Sequence, residues 1–244
     1  MEKLLEKYDR ILVKTREYFK KASKQKAVFG LSGGIDSALV AKLLADALGH
    51  ENVLALIMPD KKNDKNVKDA IYLCELLGIS YKVINIQPIC KKILETIKTK
   101  DPIVRGNISA RVRMVLLYAH ANMLNALVVG TSNKTELTLG YFTKYGDGGC
   151  DLLPIGDLYK TEIFAISKLL GIPKKIITKR PSAGFWPGQT DETEIGMSYS
   201  KIDELLKKIS TKTAVKLKNK KDLLKLIALI KKNKHKRKLP PVIK

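Results

Sequence analysis

Leu4, Tyr8, Ile11, Leu12, Thr15 and Phe19 recur at helical spacing, which predicts an amphipathic helix at the start of the chain. Residues 26–31 (KAVFGL) form a short apolar run that ends in a Ser-Gly-Gly breaker and reads as a buried strand. A helix is expected over 36–48, with Leu39, Leu43, Leu44 and Ala47 inward, and a second strand over 52–58 (NVLALIM), ended by Pro59. The next helix, 64–77, carries Val67, Ala70, Ile71, Cys74 and Leu77 and stops at Gly78. Residues 81–86 (YKVINI) predict a third strand, 107–124 a helix and 126–130 (ALVVG) a fourth strand. Segments 141–157 and 180–196 are rich in turn residues and read as loops. Helices are expected near 158–170, 199–209 and 213–233, the last two strongly basic.

Apolar strands alternating with helices are the pattern of a parallel sheet covered on both faces, a doubly wound α/β fold. No repeat or low-complexity linker interrupts it, so residues 1–244 read as one domain with a basic helical segment from about 199 to 244. Ligands of such sheets sit beyond the carboxyl ends of the strands, here after Leu31, Met58, Ile86 and Gly130.

Composition narrows this further. A chain of 244 residues with 45% hydrophobic content builds a sizeable core. Cys74, Cys90 and Cys150 are far apart and form neither a disulfide scaffold nor a zinc site, as expected in a reducing cytoplasm. No apolar run approaches the ~18 residues of a membrane span, and the amphipathic, charged N-terminus is unlike a signal peptide. Residues 205–244 carry 15 Lys and Arg against Asp222, so most of the +22 charge sits at the C-terminus. Such charge suits polyanions, but Lys outnumbers Arg and aromatics rarely interleave, which argues for solvated lysine faces over nucleic-acid binding.

The decisive string follows the first strand: Gly30, Leu31, Ser32, Gly33, Gly34, Ile35, Asp36 and Ser37, opening directly into a helix. Adjacent glycines let backbone N–H groups turn to an anion, and the helix N-terminus adds free donors and a positive dipole end. Asp36 would repel phosphate unless a cation lay between them, a combination that suits a phosphate chain bound with Mg²⁺. The string is neither a P-loop nor a dinucleotide GxGxxG.

SGGIDS resembles the pyrophosphate loop of the N-type ATP pyrophosphatases, which split ATP between its α- and β-phosphates and adenylate a carbonyl. Within that superfamily, NISARVRM (107–114), GTSNKTE (130–136), GYFTKYGDGG (140–149), Leu153-Pro154, Lys160 and HKRKLP (235–240) are similar to the ammonia-dependent NAD synthetases. PSAGFWPGQTDE (181–192) is similar to their archaeal branch. The resemblance implies a Rossmann-like fold of the adenine nucleotide alpha hydrolase type, a homodimer, and Mg²⁺ as cofactor. It implies amidation of deamido-NAD by ammonia at the expense of ATP, through an acyl-adenylate. The alternatives are a tRNA-modifying pyrophosphatase of the same superfamily and a non-catalytic nucleotide-binding protein.

Taken alone, the individual residues stay ambiguous. Glu136, in a predicted loop, reads as a Mg²⁺ ligand beside Asp36 or as a solvated carboxylate. Lys144 and Lys160 are two of many lysines; Asp147 and Asp151 suit a turn as well as a site; His235 suits a solvated tail. Arg111 and Arg113 lie on different sides of one helix, so one is expected to be structural. The apolar side of that helix (Ile108, Val112, Val115, Leu116, Ala119) suits a dimer interface or the core equally. The resemblance assigns residues 30–37, Thr131, Lys160 and Ser182 to ATP, and Asp36 and Glu136 to Mg²⁺. It assigns Arg111, Lys144, Asp151, His235 and Lys236 to deamido-NAD, and puts Asp147 and Lys160 near the reacting carboxylate and ammonia. Residues 234–238 are then expected to order on that substrate.

Overall fold

The computed structural model describes residues 2–60, 64–182, 188–211 and 220–243. Helix α1 (Glu2–Lys21) leads into β1 (Ala27–Gly30), α2 (Ile35–Leu48), β2 (Val53–Ile57), α3 (Lys65–Leu77) and β3 (Ser80–Val83). Next come α4 (Gln87–Ile97), α5 (Pro102–Leu124), β4 (Leu127–Val129), α6 (Lys134–Leu139) and α7 (Lys160–Leu169). Short helices α8 (Lys174–Ile177) and α9 (Asp191–Ile195), then α10 (Tyr199–Ser210), α11 (Lys220–Lys232) and a 3-10 turn (Lys234–Arg237) complete the described chain.

The four strands are parallel in the order β3-β2-β1-β4, with Phe29 in register between Ala55 and Val129. Alternation along β1 sorts the core. Ala27 and Phe29 join Ala55, Ile57 and Val129 in a cluster filled by α1, α2, α3 and α7, whereas Val28 joins Leu56 and Val128 beneath α4 and α5. The sheet is therefore doubly wound, as the pattern predicts. A third cluster, built from Leu139, Tyr159, Tyr199, Ile202, Leu205 and Leu226 among others, holds α6, α9, α10 and α11 together. The chain steps outward from β1 to β3 and then returns to β4 on the other side of β1. The loops after β1 and β4 thus flank the switch point, where ligands of open α/β sheets bind.

Local differences from the sequence pattern have physical causes. The third strand is shorter than 81–86 and exposed throughout, because it is the sheet edge; Ile84 and Ile86 still donate their N–H groups to Ile57 and Pro59. Residues 87–106, read as no element, hold α4 and the first turn of α5. Asp101 caps α5 by accepting from Ile103 and Val104 N–H at 2.7 and 3.3 Å, and Pro102 opens its first turn. Glu136 lies on α6, not in a loop, and Asp191–Ile195 is a helical turn inside the supposed loop 180–196. Residues 183–187 and 212–219, where parts of the last loop and the last helix were expected, lie outside the described residues. Among the described residues no helix is long and apolar enough to cross a membrane, and the three cysteines are free.

Asp203 ties the third cluster to the sheet. Its buried carboxylate on α10 accepts from the Thr135 hydroxyl of α6 at 2.5 Å and from Thr161 N–H of α7 at 2.8 Å. The Thr135 hydroxyl oxygen in turn accepts from the Lys160 N–H at 3.0 Å. Removing Asp203 leaves buried donors unmatched. Asp203→Ala should lower unfolding free energy by about 1–3 kcal/mol, measured by urea denaturation.

Candidate active site

The loop after β1 is held from inside and out. Ser37 Oγ accepts from Ser32 N–H at 3.2 Å and lies 3.0 Å from both Ser32 Oγ and the Gly34 carbonyl oxygen. Leu31 N–H donates to Leu56 O at 3.0 Å, tying the loop to β2. Gly33 has φ +75°, and a Cβ there would lie 2.6 Å from the Asn66 carbonyl oxygen, so only glycine fits. From outside, Lys179 Nζ donates to Gly33 O at 3.1 Å, Asn66 Oδ1 at 2.8 Å and Asp69 Oδ2 at 2.5 Å. Gly34 caps α2 without a side-chain hydrogen bond, which leaves the first N–H groups of the helix open to an anion.

At the mouth of this loop three elements converge on one ammonium. Lys160 opens α7 and is only 2% exposed, yet its Nζ lies 2.5 Å from Asp36 Oδ2 on α2 and 3.4 Å from Glu136 Oε1 on α6. Burial alone would lower the Lys160 pKa, but the charges of Asp36 and Glu136 outweigh it and raise it. Glu136 is pushed up to about 8, first by burial and then by Asp36, against the pull of Lys160. Asn133 holds both carboxylates. Its Nδ2 donates to Asp36 Oδ1 at 2.8 Å, its Oδ1 accepts from Glu136 N–H at 3.0 Å, and its own N–H donates to Glu136 Oε2 at 3.2 Å. The last two bonds are a capping box. Thr131 is half-buried just after β4 on the same side of the sheet, and exposed Ser182 lies three residues beyond the loop brace Lys179.

A second group surrounds the loop 140–147. Arg111 Nη2 donates to Lys144 O at 3.3 Å. Thr143 N–H donates to Asp147 Oδ1 at 2.8 Å, and its hydroxyl donates to Asn107 Oδ1 at 2.7 Å. Protein packed around Asp147 raises its carboxyl above the usual range, opposed by Thr143 and by the charge of Lys236. Lys236 Nζ donates to Gly140 O and Phe142 O at 2.9 Å each, and Arg237 donates to Leu137 O and Thr138 O. Within the segment 234–238, expected to order on substrate, Lys236 and Arg237 are thus bound to carbonyls at the end of α6 and the start of this loop. His235 stays exposed.

Asp151 stands apart from the ion cluster: it accepts from Val128 N–H at 2.8 Å and the Tyr118 hydroxyl at 3.0 Å along the outer side of β4. Arg113 is the structural member of its pair, donating to Met58 O at 3.0 Å. Of the apolar side of α5, Val112 is core while Val115 and Ala119 are exposed.

The family model for NAD synthase matches residues 7–240. The chain belongs to the NAD synthase family. It is 50% identical to an NH(3)-dependent NAD(+) synthetase of Methanosarcina acetivorans, over 96% of each protein. Among solved structures, the NMN synthetase of Francisella tularensis superposes with a TM-score of 0.90 at 38% identity, covering 98% of each chain. The NH3-dependent NAD synthetase of Campylobacter jejuni, solved with nitrate, gives 0.87 at 38% identity over 99% of each chain.

For this member of the NAD synthase family, the sequence reading passed over Asn133, Lys179, Asp191 and Tyr199. Asn133 was within reach, since Asn-x-x-Glu is the capping-box signature. Lys179 was not, because its partners lie 113 and 146 residues away. The Lys179 hydrogen bond is the main cause that lowers the Asp69 pKa, so the ion pair contributes while Asp69 is ionised and is lost as pH falls through its depressed value. Asp69→Asn should thus cost up to about 1 kcal/mol at neutral pH. The difference from wild type should close at low pH in urea melts; a gap that widens on acidification would exclude the brace.

Proposed function

We propose that this chain is an ammonia-dependent ligase that converts deamido-NAD to NAD, with ATP cleaved to AMP and pyrophosphate. The observation that carries the reading is the Lys160–Asp36–Glu136 cluster at the mouth of the SGGIDS loop. A buried ammonium flanked by hard oxygens beside uncapped helix donors suits the transfer of an adenylyl group. Asp36 and Glu136 fit Mg²⁺, since their oxygens already converge on one cation and a site that also uses ATP phosphates needs only one or two carboxylates. When bound, Mg²⁺ neutralises charge on the departing pyrophosphate.

The nicotinate carboxylate oxygen attacks the α-phosphorus and the bond to pyrophosphate breaks, with the loop N–H groups of residues 32–37 receiving the leaving group. Ammonia then attacks the acyl carbon and AMP departs. Asp147, whose pKa is raised, is suited to take the proton that the nitrogen loses. Arg111, Lys144, Asp151, His235 and Lys236 hold the dinucleotide, and Thr131 and Ser182 contact ATP. Residues 1–244 act as one catalytic unit, because α10 reaches the site through Asp203. A reducing cytoplasm suits the three free thiols.

We also infer a homodimer. The reading is supported by Ile89, Ile93 and Ile97, one stripe on α4 left 37–50% exposed, together with Val115 on α5. Sedimentation at working concentration should give twice the monomer mass.

Wild-type protein should release pyrophosphate only with deamido-NAD present and form NAD only when ammonia is added. A second reading, amidation of the nicotinate mononucleotide, is favoured by the likeness to an NMN synthetase. A higher kcat/KM for the mononucleotide than for deamido-NAD would decide for it. Asp36→Asn and Glu136→Gln should each lower kcat by about 100-fold or more while the protein stays folded, read by pyrophosphate release and circular dichroism.

A further inference from the structure

Lys160 has a third neighbour. The Tyr199 ring, 4% exposed at the start of α10, lies with its centroid 5.0 Å from Lys160 Nζ. Its hydroxyl donates to Asp191 Oδ2 at 2.8 Å, and Asp191, 5% exposed, opens α9. The Tyr141 hydroxyl, 3.3 Å from Asp191 Oδ1 and 2.7 Å from Glu194 Oε2, flanks the same carboxylate. Gln189 Nε2 donates to Glu194 Oε2 at 2.8 Å, and Glu192 Oε1 accepts from Tyr199 N–H at 2.7 Å. Two buried side chains, Tyr199 and Asp191, thus set one ring against one ammonium.

This arrangement answers a difficulty in the proposed reaction, on which the inference rests. Asp36 and Glu136 cannot both hold Lys160 as tightly once their oxygens turn to a metal ion. A buried ammonium stripped of both partners is strongly disfavoured. An aromatic face accepts a cation without competing for the metal, and it does so most effectively when water is excluded.

We propose that Tyr199, anchored through its hydroxyl by Asp191, is a positioning residue that keeps the Lys160 ammonium at the reacting end of the site while Asp36 and Glu136 hold the metal. Tyr199 acts through Lys160 and need not touch substrate. Residues 188–199 therefore serve the same reaction as the SGGIDS loop, although their fold places them in the third core cluster.

The test is a double-mutant cycle on the full chain, with kcat for NAD formation, calorimetric Kd for Mg²⁺·ATP and melting temperature read for each variant. Tyr199→Phe keeps the ring and packing but releases Asp191, and kcat is expected to fall about 3–10-fold. Tyr199→Leu removes the ring, and a fall of about 30–100-fold is expected with Kd for Mg²⁺·ATP within about 3-fold of wild type. In a Lys160→Gln background, Tyr199→Leu should cost less than about 3-fold more, because its effect runs through the lysine. Full additivity of the two substitutions, or an unchanged kcat in folded Tyr199→Leu, would overturn the proposal. So would a loss of Mg²⁺·ATP affinity matching the loss of kcat. Absence of deamido-NAD-dependent turnover in the wild type would instead defeat the functional reading, and this inference with it.

Discussion

A lysine ammonium only 2% exposed is the constraint around which the site is arranged. An unpaired charge in that position would cost several kcal/mol, so folding requires the carboxylates of α2 and α6 to arrive together with the start of α7. Asn133 links those two carboxylates, and Thr135 and Asp203 fasten the backbone of Lys160 itself. Each partner comes from a different part of the chain, and none works without the parallel sheet that aligns the loops after β1 and β4.

Helix ends differ in how they are closed. Helices α3, α5, α6, α9 and α10 are each capped by a side chain, whereas α2, like α4 and α8, begins with none, in its case at Gly34. The missing cap leaves N–H groups and a positive dipole end facing the switch point, the arrangement that binds a phosphate chain. The opposite situation holds at the end of α6, whose carbonyls are met by Asn233 and Arg237, while Lys236 takes those of Gly140 and Phe142. Part of the basic tail is thus a C-terminal cap, which accounts locally for charge that composition alone would assign to a polyanion partner.

The elements most legible in the chain were those with a clean period. The strand around Phe29, the helix carrying Leu39 and Leu43, and the turn at Gly78 all follow from local chemistry. α4 was missed although Ile89, Cys90, Ile93, Leu94 and Ile97 make one stripe at helical spacing; what that pattern could not show is that only Cys90 is buried while Ile89, Ile93 and Ile97 stay exposed. The edge strand β3 was read too long because an apolar run does not reveal where a sheet ends. The SGGIDS segment was legible as a glycine turn opening into a helix because glycine freedom and the helix start are adjacent in sequence.

By itself the sequence determined the doubly wound class and the family, since each rests on periods and strings that are local to a few positions at a time. Only the tertiary structure decided that Lys160 is the buried one among the described lysines, that Arg113 braces the chain just after β2 while Arg111 reaches the loop at Lys144, and that Asp191 and Tyr199 stand behind Lys160. Those assignments depend on which side chains are brought together from 24 to 124 residues apart and removed from water. Burial turns an ordinary solvated charge into one that must be paired, and no local pattern encodes it.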